Sequence, residues 1–321
     1  VIYGTLGGLR AIAWTDVIQG SVLFVGFFVL LLLVINQFGP LSIATETIAQ
    51  ASDLDKLERP NSSMLREWLS YIFLVGIGGA LYPQFIQRIY SARTTQGLRQ
   101  SFAVMAFMPF ITALIAVIIG IYALAYIPGL EGAATDQALS SILRIVQEQS
   151  LFGYALVVLI FSAVLAALMS TADSAMLSIS SMFIKDIYGV HIRPNASEQE
   201  LTRLGKRCSW IVVGLLSLLA ILLKEQTSLI GLLDRKFDLL VQLAPAFMLG
   251  IHWSGLRTGP VLIGLVLGII IALTLAFGPF SFVVAGKVWG FHPGLYGLAV
   301  NLSYAILGSR WLARRENFDP I

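Results

Sequence analysis

The stretch SLFGYALVVLIFSAVLAALMSTADSAMLSISSMFI, residues 150–184, decides the class of fold. It holds a single charge, Asp173. A helix needs about 20 apolar residues to cross the roughly 30 Å hydrocarbon core of a bilayer. This run exceeds that, so its helix must tilt or project into the cytoplasm. The whole chain supports the reading: its 321 residues are 57% hydrophobic and only 12% charged. Mean hydropathy is +0.83. Soluble domains carry about 25% charged residues, so the composition excludes a water-soluble globule, a disordered chain, collagen and a nucleic-acid-binding domain. The net charge of +3 reflects loop charge rather than a polyanionic partner. A single cysteine, Cys208, leaves no internal disulfide and no cysteine metal cluster.

Working outward, further apolar runs bring the spans to eight, at roughly 14–36, 68–90, 101–127, 150–184, 208–223, 238–254, 259–279 and 295–312. The expected fold is all-α, a polytopic membrane helical bundle. If the N-terminal side is inside, inner connectors hold 13 of the 21 basic residues and outer connectors 8. The positive-inside rule then places the C-terminus in the cytoplasm, and the plasma (inner) membrane is the expected location. The chain opens on Val1-Ile2-Tyr3-Gly4-Thr5, with no initiator Met and no signal-peptide pattern. It reads as the C-terminal part of a longer protein, with N-terminal helices missing.

Within the long run, Ser170, Asp173 and Ser174 stand at i, i+3 and i+4 and share one helical face, which Ser178 and Ser181 extend. Hydroxyls and a carboxylate are hard oxygen ligands suited to a small hard cation such as Na⁺. Ser and Thr also pack between helices and bond back to the i−4 carbonyl. A carboxylate at this depth costs about 2.5–3.5 kcal/mol to insert, and this tilts the cluster toward ion binding. A second carboxylate, Asp16, sits at the inner end of the first span in Trp14-Thr15-Asp16. It is read equally as part of an ion pathway and as an interfacial residue that pairs with Arg10 or caps the helix.

The second span is interrupted. Its centre reads Val75-Gly76-Ile77-Gly78-Gly79-Ala80-Leu81-Tyr82-Pro83-Gln84. Glycine and proline weaken a helix, by about 1 and 3 kcal/mol relative to Ala. Transporters use such breaks to bind substrate through freed backbone groups, while close helix packing with a proline kink is the plainer alternative. Gly264 and Gly268 in the seventh span read as packing, and Pro245 with Gln242 as a kink, with a gating role as the alternative. His191, His252 and His292 are scattered with no second ligand at metal spacing. No nucleophile–base pair is legible and no phosphate-binding loop is present, so an enzyme is not expected.

Taken together these residues resemble the sodium/solute symporter family. Positions 7–19, Gly-Gly-Leu-Arg-Ala-Ile-Ala-Trp-Thr-Asp-Val-Ile-Gln, are similar to a recurring motif of that family. Further matches are Leu168-Met169-Ser170-Thr171 continued to Tyr188, Pro83-Gln84-Phe85-Ile86-Gln87-Arg88, and Ala244-Pro245-Ala246 followed by Trp253 and Thr258-Gly259-Pro260. They fall in the family's order over positions 7–260. The resemblance implies a leucine-transporter-like core of two inverted five-helix repeats. The chain would form a single transporter domain, 1–321. It would hold the last helix of repeat one at about 14–36, repeat two at about 68–254, and two trailing helices at about 259–312.

Carried over by position, the resemblance implies that Ser170 and Thr171 supply hydroxyls, and Ala167 a carbonyl, to the family's usual sodium site. Asp16 matches an acidic residue linked to a second sodium position or to ion exit, with hydroxyl partners at the positions of Ser170, Asp173 and Ser174. This chain departs by placing a carboxylate at Asp173. Gly78, Gly79, Tyr82 and Pro83 match the substrate-contacting helix. Proline-transporting members carry aromatics at the positions of Val75 and Gly79, and their absence here argues against proline. The implied function is sodium-coupled symport of a small polar organic solute across the lipid bilayer by alternating access. Na⁺ would be the coupling ion, with no cofactor and no nucleic-acid partner. The alternative is a membrane sensor of the same fold that signals through an attached domain.

Overall fold

The computed structural model describes residues 2–51, 59–223 and 229–318. The described chain is helical apart from connectors and one small hairpin, Val283–Val284 paired with Lys287–Val288. By internal contacts it divides into two compact units: residues 1–58 with 87–228, and residues 59–86 with 229–321.

The first unit contains α1 (Ile2–Phe38), α2 (Leu41–Gln50), α5 (Thr95–Tyr126), α6 (Ala138–Gln147), α7 (Leu151–Met182) and α8 (Glu198–Leu223). Helix α7 continues without a break as a π-helix to Ile192, so the residue 150–184 run does project beyond a simple crossing. Its start is set by Ser150, whose hydroxyl accepts from the Gly153 amide at 2.9 Å. The core gathers Leu30 and Val34 of α1, Ile115, Ile119 and Tyr122 of α5, Ile142 and Val146 of α6, and Ile160 of α7. Gly39 turns the chain between α1 and α2 at a φ of 84°. The Tyr122 hydroxyl donates to its carbonyl at 2.7 Å, and Tyr126 donates to the Phe38 carbonyl at 3.2 Å. Two tyrosines thus satisfy backbone acceptors left open where α1 ends.

The second unit contains α3 (Ser62–Gly79), α9 (Leu229–Leu240), α10 (Gly250–His252), α11 (Thr258–Phe277) and α12 (Pro293–Phe318). Helix α4 (Pro83–Tyr90) begins in this unit, and its residues from Gln87 onward group with the first. Between α9 and α10 the helix tightens over Val241–Leu243 and loosens over Pro245–Leu249. Pro245 lacks the N–H that an unbroken α-helix needs, and the regular α-helix is interrupted at that point. Helices α11 and α12 form an antiparallel pair in which a side chain at Gly264 would meet the Asn301 carbonyl at 2.8 Å. At Gly268 it would meet the Gly297 carbonyl at 2.9 Å. These glycines serve close packing, as their spacing suggests.

Among the described residues five helices are long and apolar enough to cross a membrane: Ala13–Phe38, Thr95–Tyr126, Leu151–Ile192, Glu198–Leu222 and Thr258–Phe277. The bent pair α3 and α4, at 44°, adds a sixth if counted as one span. The expected spans at 238–254 and 295–312 are helical but fall short of that measure. The former is broken into pieces, and the latter carries Asn301, Ser303, Ser309 and Arg310.

Candidate cation site and substrate break

The serine stripe of α7 faces inward. Ser170, Asp173, Ser174 and Ser178 are all buried, at 5% exposure or less. Helix α1 packs along α7 and carries Asp16 to this face. The Ser170 hydroxyl donates to Asp16 Oδ1. The other carboxylate oxygen, Oδ2, takes the Arg88 guanidinium at 2.6 Å. The same Arg88 nitrogen, Nη2, reaches Ser174 Oγ at 3.1 Å. Four polar side chains from α1, α4 and α7 therefore converge.

Asp16 lies fourteen residues inside α1, which begins at Ile2, so it cannot cap that helix. Its observed partners are Ser170 and Arg88, while the Arg10 side chain lies outside the described residues. Trp14 is 64% exposed, as a headgroup-level residue would be. Asp173 shares the buried face with Ser170 and Ser174. Thr171 points away from this cluster. Its hydroxyl is exposed and donates to the Ala167 carbonyl at 2.9 Å, the back-bond common to hydroxyls in apolar helices. Of the sodium candidates, then, the structure brings Ser170, Ser174 and Asp16 together and sets Ala167 and Thr171 beside each other on a different face.

Two residues of this cluster escaped the sequence reading. Arg88 stands there within the Pro83–Arg88 match, with no sign of its pairing with Asp16. Gln87 donates to Ser181 Oγ at 3.0 Å and accepts from Ser178 Oγ at 2.9 Å, closing the stripe below Ser174. The available signal was position: both follow Pro83 within one short helix.

The substrate candidates belong to the second unit. Helix α3 ends at Gly79, the Leu81 amide turns back to the Gly78 carbonyl at 3.0 Å, and α4 starts at Pro83. Proline has no N–H to give to the Gly79 carbonyl, so the break frees a backbone acceptor. The Tyr82 carbonyl accepts from the Phe85 and Ile86 amides, both at 3.0 Å, and so supports the start of α4. The Tyr82 ring meets Phe237 edge-on at 6.1 Å and lies under Lys236 Nζ at 5.1 Å. Gly78 is buried against Phe237, whereas Gly79 has open space where a side chain would start.

The second unit also hides a charged cluster that looked like loop charge in the sequence. Lys287 Nζ lies 2.5 Å from Asp234 and 3.6 Å from Glu67, and it is only 6% exposed. His292, read as one of three scattered histidines, is buried, with Nδ1 2.5 Å from Ser70 Oγ and Nε2 3.5 Å from Asp234. Ser70 and His292 are each 1% exposed, so no substrate reaches that pair. Asp234 lies outside the candidate spans. Burial alone would push its carboxyl up, but hydrogen bonds from His292 and Lys287, with their charge, hold it below the usual range.

The chain belongs to the sodium:solute symporter family, whose model matches residues 1–268. It is 26% identical over 276 residues to the sodium/proline symporter of Salmonella typhimurium, covering 84% of this chain and 53% of that protein. To the human high affinity choline transporter 1 it is 27% identical over 287 residues, covering 85% and 47%. To the Drosophila melanogaster high-affinity choline transporter 1 it is 30% identical over 269 residues, covering 79% and 41%. The chain thus spans about half the length of the curated relatives it matches. A solved Na⁺-coupled sialic acid symporter, in a substrate-bound outward-open state, matches with a TM-score of 0.70 at 22% identity. That match covers 97% of this chain and 64% of the other. The fold is therefore the leucine-transporter-like one expected. These relatives are transporters, not enzymes, and the family uses Na⁺ as coupling ion without a further cofactor.

Proposed function

We propose that this chain is the C-terminal part of a symporter that couples inward Na⁺ flow to uptake of a small polar organic solute by alternating access. The observation that carries the reading is the convergence of Asp16 on Ser170. Two buried hydroxyls, Ser170 and Ser174, beside the partly exposed Asp16 carboxylate are hard oxygen donors set between apolar helices, and they suit a hard cation.

In this reading α1 is the last helix of repeat one, residues 68–254 form repeat two, and α11 and α12 trail it. The Ala167 carbonyl and the Ser170 and Thr171 hydroxyls hold one Na⁺. Asp16, Asp173 and Ser174 serve a second ion or its exit. N-terminal helices of the same protein supply the remaining ligands, and the C-terminus faces the cytoplasm of the inner membrane. Each Na⁺ crossing 100 mV releases about 2.3 kcal/mol, enough for accumulation of tens-fold.

Gly78, Gly79, Tyr82 and Pro83 contact the solute, with the freed Gly79 carbonyl as a hydrogen-bond acceptor for it. The relatives transport proline and choline, and the solved neighbour sialic acid. Val75 and Gly79 make this stretch less aromatic than a proline site, which favours a bulkier polar solute. The test is charge movement by the full-length protein in liposomes, with a panel of amino acids, carboxylates, sugars and quaternary amines, with and without Na⁺. A current that needs both Na⁺ and one solute class is expected. Solute-driven current of equal size without Na⁺ would overturn the coupling.

A further inference from the structure

The Asp16 carboxylate presents two oxygens, and both are engaged: Oδ1 by Ser170 and Oδ2 by Arg88. Through the same nitrogen Arg88 also holds Ser174 Oγ. A guanidinium carries its positive charge at every pH a protein meets, and it only donates. It therefore sits among oxygens in the role a metal cation would take, without being able to ligate one. A Na⁺ that used Asp16 and Ser174 would lie within a few ångströms of that guanidinium, and like charges at such separation repel. The two cations cannot share the seat.

We propose that Arg88 is a tethered cation that competes with Na⁺ for the seat made by Asp16 and Ser174. The ion enters as the guanidinium leaves, and the guanidinium returns as the ion departs. This rests on the proposed role of Asp16 and Ser174 in ion passage. Exposure permits the exchange, since the Arg88 side chain is 44% and that of Asp16 27% exposed. Gln87, the preceding residue, stays anchored to Ser178 and Ser181, so the Arg88 side chain can swing while its helix keeps its place. The pairing also supplies a positive charge beside Asp16 whenever the ion is absent, so the apo site does not leave that carboxylate uncompensated. Arg88 is in this sense a positioning residue for the ion, not a ligand of it.

The test uses the full-length protein. Na⁺ binding is titrated at constant ionic strength against K⁺ in wild type, Arg88→Gln and Arg88→Lys. Loss of the competitor in Arg88→Gln should lower the Na⁺ half-saturation by about fivefold, the scale of a half-exposed ion pair. Free guanidinium should then compete with Na⁺ more strongly in Arg88→Gln than in wild type. Arg88→Lys, which keeps a cation on the tether, should stay within about twofold of wild type. If Arg88→Gln does not fold, wild type decides. Na⁺ should speed modification of Arg88 by phenylglyoxal relative to K⁺, as read by peptide mass spectrometry. Unchanged or weaker Na⁺ binding in Arg88→Gln, or equal modification rates in Na⁺ and K⁺, would overturn the competition. Those outcomes presuppose that wild type binds Na⁺. If it does not, the symport reading itself fails, and the two failures are thereby told apart.

Discussion

Ser170 of α7 donates its hydroxyl to Asp16 of α1, a residue 154 positions away in the chain. The bond joins the only acidic residue of the first span to the serine stripe of the longest one. Ser170 is buried, while the Asp16 side chain keeps 27% exposure.

The two glycines at the end of α3 should respond in opposite ways. A side chain at Gly78 would meet Phe237 Cδ1 at 3.0 Å, while one at Gly79 would meet nothing within 4 Å. Gly78→Ala should cost about 1–3 kcal/mol through overpacking. Gly79→Ala should hold or raise stability by about 0.4–1 kcal/mol, because it restricts the unfolded chain. Solute affinity should nevertheless change in Gly79→Ala, since the added methyl lies at the break. Thermal unfolding in detergent and solute titration check the pair.

Gly268 is a packing position with no part in ion binding. A side chain there would lie 2.4 Å from Gln242 Oε1 and 2.9 Å from the Gly297 carbonyl, and the latter is backbone. Gly268→Val should destabilise by about 3 kcal/mol. The cation residues lie in the other unit, so folded Gly268→Ala protein should keep the wild-type Na⁺ half-saturation. A shift in that value measured on monodisperse protein would contradict the assignment.

The buried cluster of Asp234, Lys287 and His292 makes stability depend on acid. The Asp234 carboxyl is held below its ordinary value, so the stability it adds is present above the unfolded value of about 4. That contribution is lost as pH falls through the lower folded value. Removing one partner of a buried pair costs about 3–5 kcal/mol, so Lys287→Met should lower the unfolding temperature at neutral pH. The gap from wild type should narrow below about pH 4 as Asp234 protonates. Unfolding midpoints measured from pH 3 to 7 for both proteins check this.

How far the sequence carried depended on what each stretch had to hide. Helices α1, α5, α7 and α11 are long apolar runs, and they lie where hydropathy put them. The serine stripe was legible because i, i+3, i+4 spacing is a property of any helix. Helices α2 and α6 were missed because each has only 10 residues and sits in a connector. In α6 the buried Leu143 and Val146 do mark one face, but a search for spans passes over so short a pattern. Charge misled more than length did. By sequence Lys287 and Arg88 are basic residues beside the apolar runs, yet Lys287 is buried on Asp234 and Arg88 is paired with Asp16. Pairing across 53 or 72 residues leaves no local trace in a sequence. The family motifs contain Asp16, Arg88 and Ser170 in three separate stretches, and nothing within those stretches shows that the three meet.

The central claim is that α7 holds the coupling ion. Its most direct test is equilibrium ²²Na⁺ binding to the full-length protein, comparing wild type with the Ser170→Ala, Thr171→Ala double variant. With both hydroxyls gone, the account predicts a Na⁺ half-saturation raised by about tenfold or more, since each charge-assisted contact is worth about 1.5–3 kcal/mol. Identical binding isotherms for the two proteins would contradict it and remove Ser170 and Thr171 from the sodium site.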